Sequence, residues 1–70
     1  MQRSRVSSTS VRSVGYDRRT HALEIEFLSG SVYRYAMVPA SVFERLRTAP
    51  SVGSFVNSVV KPRYPARKLR

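Results

Sequence analysis

The stretch HALEIEF, His21 to Phe27, sets Leu23, Ile25 and Phe27 on one side of the chain and Ala22, Glu24 and Glu26 on the other. That period of two predicts a strand with one dry and one wet face. The preceding SVRSVGYD, Ser10 to Asp17, alternates more loosely, and Gly15 weakens it as a strand or marks a bulge. Asp17 opens DRRT, a four-residue hairpin loop, because Asp favours the first position of a type I turn. A third strand, Val32 to Val38, is apolar on both faces, and only register decides between them. With Ser29, Gly30 and Ser31 as a three-residue loop, Phe27 faces Tyr33, Ile25 faces Tyr35 and Leu23 faces Met37. Glu26 then lies opposite Arg34 and Glu24 opposite Ala36, so the wet side gains an opposite-charge pair. Pairing Tyr16 with His21 and Val14 with Leu23 extends the dry side to the first strand.

After Val38-Pro39 the period changes. In ASVFERLRTA, Val42 or Phe43, Leu46 and Ala49 recur at helical spacing, while Glu44, Arg45 and Arg47 point away. Pro39 sits just before or at the first turn, and Pro50 stops the helix. Ser51 is placed to cap a second helix, VGSFVNSVVK, with a stripe of Val52, Phe55, Val56, Val59 and Val60. Gly53 and the β-branched valines make this helix weak by itself, so it needs packing. Pro62 and Pro65 forbid its continuation and leave the tail after Lys61 extended or loose. The expected fold is α+β: a three-stranded antiparallel β-meander followed by two α-helices packed on one face (βββαα). Residues 1–9 read as a basic, Ser-rich arm, 10–61 as the domain, and 62–70 as a basic tail containing proline.

Both helical stripes need a partner, and the dry side of the meander is the only good one. Tyr33 and Tyr35 are therefore expected in the core, with hydroxyls reaching water or a backbone partner. A stacking platform for bases would need the same face left open.

Charge alters the picture more than length does. The 70 residues carry 13 Lys and Arg against 4 Asp and Glu, a net charge of +9. All the acids (Asp17, Glu24, Glu26, Glu44) lie in the middle. Arg3, Arg5 and Arg12 precede them, and Lys61, Arg63, Arg67, Lys68 and Arg70 crowd the last ten residues. Cationic ends on a near-neutral centre suit a polyanion such as nucleic acid; the plain alternative is a solvated, solubilising surface. No cysteine is present, so disulfides and thiolate metal sites are excluded, and a reducing compartment fits. No stretch approaches the roughly 18 apolar residues of a membrane span, and the start has no apolar run of signal type. The expectation is a soluble, cytoplasmic protein, monomeric and without a membrane partner.

Catalytic patterns are wanting. His21 is the single histidine, and Glu24 and Glu26 point to the opposite face, so no metal site is expected. There is no nucleophile elbow, phosphate loop or dinucleotide fingerprint. The chain reads as a non-enzyme without cofactor. The best binding element is KPRYPARKLR, where Lys61, Arg63, Arg67, Lys68 and Arg70 surround Tyr64. Cations bind phosphates by counterion release and an exposed Tyr64 would stack on an unpaired base; equally, Tyr64 would tuck against the domain edge. Arg45 and Arg47 on the first helix extend the patch.

Six ordered features lead further: Gly15-Tyr16-Asp17, Phe27 with Gly30, Tyr33-Arg34-Tyr35, Val38-Pro39, Ser51-Val52-Gly53, and Phe55 with Asn57. Together, over about Val6 to Tyr64, they resemble the KTSC domain, a small bacterial domain also found at the C-terminus of some lysyl-tRNA synthetases. The resemblance implies a link to RNA and no aminoacylation, since the synthetase body is missing. The expected function is a small nucleic-acid-binding module, RNA before DNA. The alternative is a protein-interaction module that docks an acidic partner or self-associates through a sheet edge.

Overall fold

In the computed structural model, which describes residues 3–70, five strands form one antiparallel sheet in sequence order. They are β1 (Arg3–Arg5), β2 (Val11–Asp17), β3 (Ala22–Phe27), β4 (Val32–Tyr35) and β5 (Ala66–Lys68). Between β4 and β5 lie α1 (Ala40–Arg47), α2 (Val52–Phe55), a π-helical turn (Val56–Val60) and α3 (Lys61–Arg63). The three-stranded meander is thus corrected to five strands. The added edges come from segments with no hydrophobic alternation. β1 pairs with β2 from Arg3↔Gly15 to Arg5↔Ser13, and β5 with β4 from Tyr33↔Lys68 to Tyr35↔Ala66. Unpaired backbone groups on the outer edges of β2 and β4 recruit them.

Both hairpin registers differ from expectation by two residues. Tyr16 pairs with Leu23 and Val14 with Ile25; Ile25 pairs with Tyr33 and Leu23 with Tyr35. A two-residue slip preserves the faces, because side chains alternate with period two. The second turn explains its own shift. Gly30, at φ 98°, donates its N–H to the Phe27 carbonyl and the Phe27 N–H bonds Ser31, so the loop is Leu28–Gly30. Arg34 accordingly lies opposite Glu24, and Glu26 opposite Val32. Met37 does not face Leu23: it turns out at φ 60° and is 70% exposed. The sheet's irregularity falls between Val11 and Ser13 rather than at Gly15. It returns Val11, three residues from Val14, to the core face, where it is fully buried.

The helices cover the dry side. Val14, Leu23, Ile25 and Tyr35 pack with Val42, Leu46, Val52, Val56 and Val60 in one cluster. Val42, not Phe43, is the buried residue of its pair. Ser51 caps α2, accepting the Ser54 N–H at 3.3 Å. Pro62 does not end the helical run, because the preceding turn widens. The Lys61 N–H reaches five residues back to the Val56 carbonyl, and the run continues through Arg63. Pro65 then leads into β5.

The opposite sheet face has no helix and is roofed by polar contacts. Arg3 crosses from β1 to Glu24 on β3 at 3.2 Å. Glu26 accepts from the Ser13 hydroxyl at 2.8 Å and meets Arg70 at 3.5 Å and Arg12 at 4.0 Å. Its row neighbours Ser13 and Val32 are buried beneath this cluster.

Candidate functional site

The helices leave one end of the aromatic side open. There Phe27, Tyr33 and Tyr35 line a groove of about 590 Å³ together with Lys61, Ala66 and the serines of two loops. The three rings belong to β3 and β4, where in-register pairing keeps them on the helix face. Phe27 meets Tyr33 edge-on at 5.8 Å, and Tyr33 is tilted 32° to Tyr35 at 6.5 Å. Tyr35 is buried, as expected of a core residue, whereas Tyr33 and Phe27 are half-buried and present surface to the groove. Burial, with a smaller contribution from the neighbouring Tyr33, holds the Tyr35 phenol above its ordinary 10.0. Lys61 stands at the lip with Nζ 5.2 Å from the Phe27 ring centre, a cation–π contact.

The expected cationic residues do not form one cluster. Lys61 lies on the groove, and Lys68, the cross-strand partner of Tyr33, shares its face. Arg67 is opposite Arg34 and therefore on the helix-free face. Arg70 reaches that face too, and pairs with Glu26. Arg63 is exposed at the end of α3. Tyr64 is half-buried, packs against the core and lies outside the groove lining. Arg45 lies over Phe55 at 5.4 Å, and Arg47 over Phe43 at 5.8 Å while pairing with Glu44 at 3.1 Å.

The carboxylates of Glu24, Glu26 and Glu44 engage Arg3, Arg12, Arg18, Arg47 and Arg70. Asp17 instead accepts the Arg19 N–H at 2.9 Å, which holds its carboxyl below the ordinary 3.8. Among the described residues, Arg5, Arg19, Arg34, Arg45, Lys61, Arg63, Arg67 and Lys68 make no ion pair, and five of these eight (Arg34, Lys61, Arg63, Arg67 and Lys68) lie along β4, α3 and β5. Arg34 and Arg67 even stand directly opposite each other, a like-charge arrangement that costs stability unless an anion joins them. Among the described residues, no group of three His, Asp or Glu side chains is placed to hold a metal ion. No described helix is long and apolar enough to cross a membrane.

The sequence reading does not place Arg34 or Phe27 among the site residues, and it weighs Tyr33 and Tyr35 as a stacking platform but assigns them to the core. The signal was present in Tyr33-Arg34-Tyr35, which alternates aromatic and cationic groups across the two faces. Its meaning depends on β5 lying alongside.

Comparison with known proteins bears on this arrangement. The family model of the KTSC domain matches residues 7–64. An uncharacterized protein of Stutzerimonas stutzeri is 45% identical over 64 residues, covering 91% of this chain and 90% of its own length. A lysine–tRNA ligase of Nostoc punctiforme is 42% identical over 59 residues, which are 84% of this chain but 10% of the ligase. The crystal structure of a KTSC domain protein from Yersinia pestis superposes with a TM-score of 0.95 at 36% identity, over 99% of this chain and 97% of that one. The five-stranded sheet, with Tyr33-Arg34-Tyr35 on its fourth strand, and the pair of helical runs belong to a member of the KTSC domain family.

Proposed function

We propose that the protein is a non-enzymatic, monomeric and cytoplasmic module that binds nucleic acid along its β4–β5 edge, single-stranded RNA in preference to DNA. The observation that carries this reading is that five of the eight cations without carboxylate partners lie along β4, α3 and β5, on both faces of that edge. Such a surface attracts phosphates, and release of their counterions drives binding. RNA is favoured for two reasons. The chain's relatives include ligases of lysine and tRNA, and the apolar stripe of α2 and the π turn is committed to the core. That run therefore offers no base-reading stripe of the kind a DNA major groove admits.

Self-association through a sheet edge is less favoured. Arg3 and Arg5 on β1 and Arg67 and Lys68 on β5 make both edges cationic, which protects against pairing with a second copy. An acidic protein partner is distinguished experimentally.

The test is a titration with short single-stranded RNA at several salt concentrations. Engagement of the five cations gives a log–log slope of roughly −3.5, and the double change Arg34→Ala with Arg67→Ala makes it shallower by about 1.4. Absence of binding below about 100 μM at low salt removes the reading. Saturable binding of a poly-glutamate peptide with no binding of RNA points to the acidic partner instead.

A further inference from the structure

We infer that the groove beside β4 seats one unpaired nucleobase against Tyr33, with the adjoining phosphate held between Lys61 and Lys68; this rests on the nucleic-acid reading above. Three features of the groove select that ligand chemistry. Its inner wall is aromatic, with Tyr33 and Phe27 presenting half-buried rings, and every base has a π-face to lay on such a wall. One cation lines its lip and a second stands outside the lining on the neighbouring strand. Lys61 projects from the start of α3 over Phe27, and Lys68 projects from β5 beside Tyr33. Its remaining rim sets the hydroxyls of Ser10, Ser29 and Ser31 beside Leu28 and Ala66, and those hydroxyls are placed to meet the polar edge of a base.

The volume of about 590 Å³ lies within the range of about 300–1,000 Å³ usual for small-ligand sites. The groove is also built rather than left over. Ser10 lines one end, and its hydroxyl lies over Gly53, where an added Cβ would stand 2.5 Å from Oγ and turn the hydroxyl away. The other end depends on β5, which brings Ala66 and Lys68 alongside Tyr35 and Tyr33. An arginine-bearing or other cationic ligand is repelled by the two lysines, and a purely aliphatic one leaves them without a partner. A flat ring joined to a phosphate satisfies wall, lip and rim together. The same chemistry is offered by a nucleotide within a strand and by a free mononucleotide.

The experiment follows amide shifts of the full chain with three probes: single-stranded oligouridine, the same sugar-phosphate strand without bases, and uridine 5′-monophosphate. The inference expects the base-bearing strand to bind at least about fivefold more tightly than the abasic one, the lower end of what one stacked base contributes. Its shifts centre on Tyr33, Ser29, Ser31 and Lys61, and Tyr33→Leu, which keeps an apolar wall, removes the advantage without changing the salt slope. Equal binding of the two strands, with shifts confined to Arg34, Arg63 and Arg67, overturns the groove and leaves the nucleic-acid reading standing. Shifts in the groove with the monophosphate alone uphold the groove and name the free nucleotide as its source. Silence with all three probes overturns both.

Discussion

Gly30 and Met37 show how single positions set the geometry around the groove. Gly30 closes the β3–β4 turn at φ 98°, and nothing lies within 4 Å of where its Cβ would stand. The cost of Gly30→Ala is therefore backbone strain rather than collision, about 1–2 kcal/mol, read as a lowered urea midpoint. Met37 occupies the left-handed region at φ 60° and is largely exposed, so it bears that strain with little packing in return. Met37→Asn, a residue that tolerates this conformation, is expected to raise stability by about 0.5–1 kcal/mol in the same measurement. An unchanged midpoint in either variant refutes the strain argument at that position. A sequence shows Gly30 as a turn residue at once. It does not show Met37 as strained, because Met in a valine- and tyrosine-rich segment reads as one more strand residue.

At the scale of elements, β5 does the most for the candidate site and was the least legible. Its residues, Ala66–Lys68, are exposed and carry no apolar period, so no local rule marks them as a strand. The hydrogen bonds come from tertiary placement: Ala36 N–H to the Pro65 carbonyl, Leu69 N–H to Val32, and Val32 N–H to Arg70. A chain truncated after Tyr64 is expected to lose hydrogen-exchange protection at Val32 and Ala36 while Leu23 and Ile25, deep in β3, stay protected. Persistent protection at Val32 and Ala36 contradicts the pairing. The second helical run behaves oppositely. Its Ser51 cap and its Val52, Val56 and Val60 stripe were plain from spacing, yet the π turn that carries it past Pro62 was not. That turn matters because it places Lys61 at the groove.

For the whole molecule, a net charge of +9 makes each buried or paired carboxylate count. Glu26 is the hub of the helix-free face. The Ser13 hydroxyl holds its carboxyl below the ordinary 4.5, opposed by burial and aided by Arg3, Arg12 and Arg70. A carboxyl depressed in the folded state contributes stability above its unfolded value and loses it as pH falls through the folded one. Glu26→Gln is thus expected to be less stable than the parent near pH 7, with the gap closing toward about pH 2, as followed by urea midpoints across that range. A gap independent of pH assigns the loss to packing instead. Tyr35 governs the alkaline side: its raised phenol keeps its contribution up to its unfolded value near 10.0 and surrenders it above.

Sequence alone determined which side of each central strand is dry, because a period of two survives a register error of two: Tyr33, Tyr35, Leu23 and Ile25 share a face in either pairing. It determined the helices and the Ser51 cap for the same reason, that backbone geometry repeats over a few residues and leaves a local trace. Tertiary structure decided the two edge strands, the path through Pro62, and how far the helices reach across the aromatic face. Those depend on hydrogen-bonding partners supplied by distant segments, which leave no periodic mark on the chain they recruit. The groove at Tyr33 is made where these nonlocal choices meet.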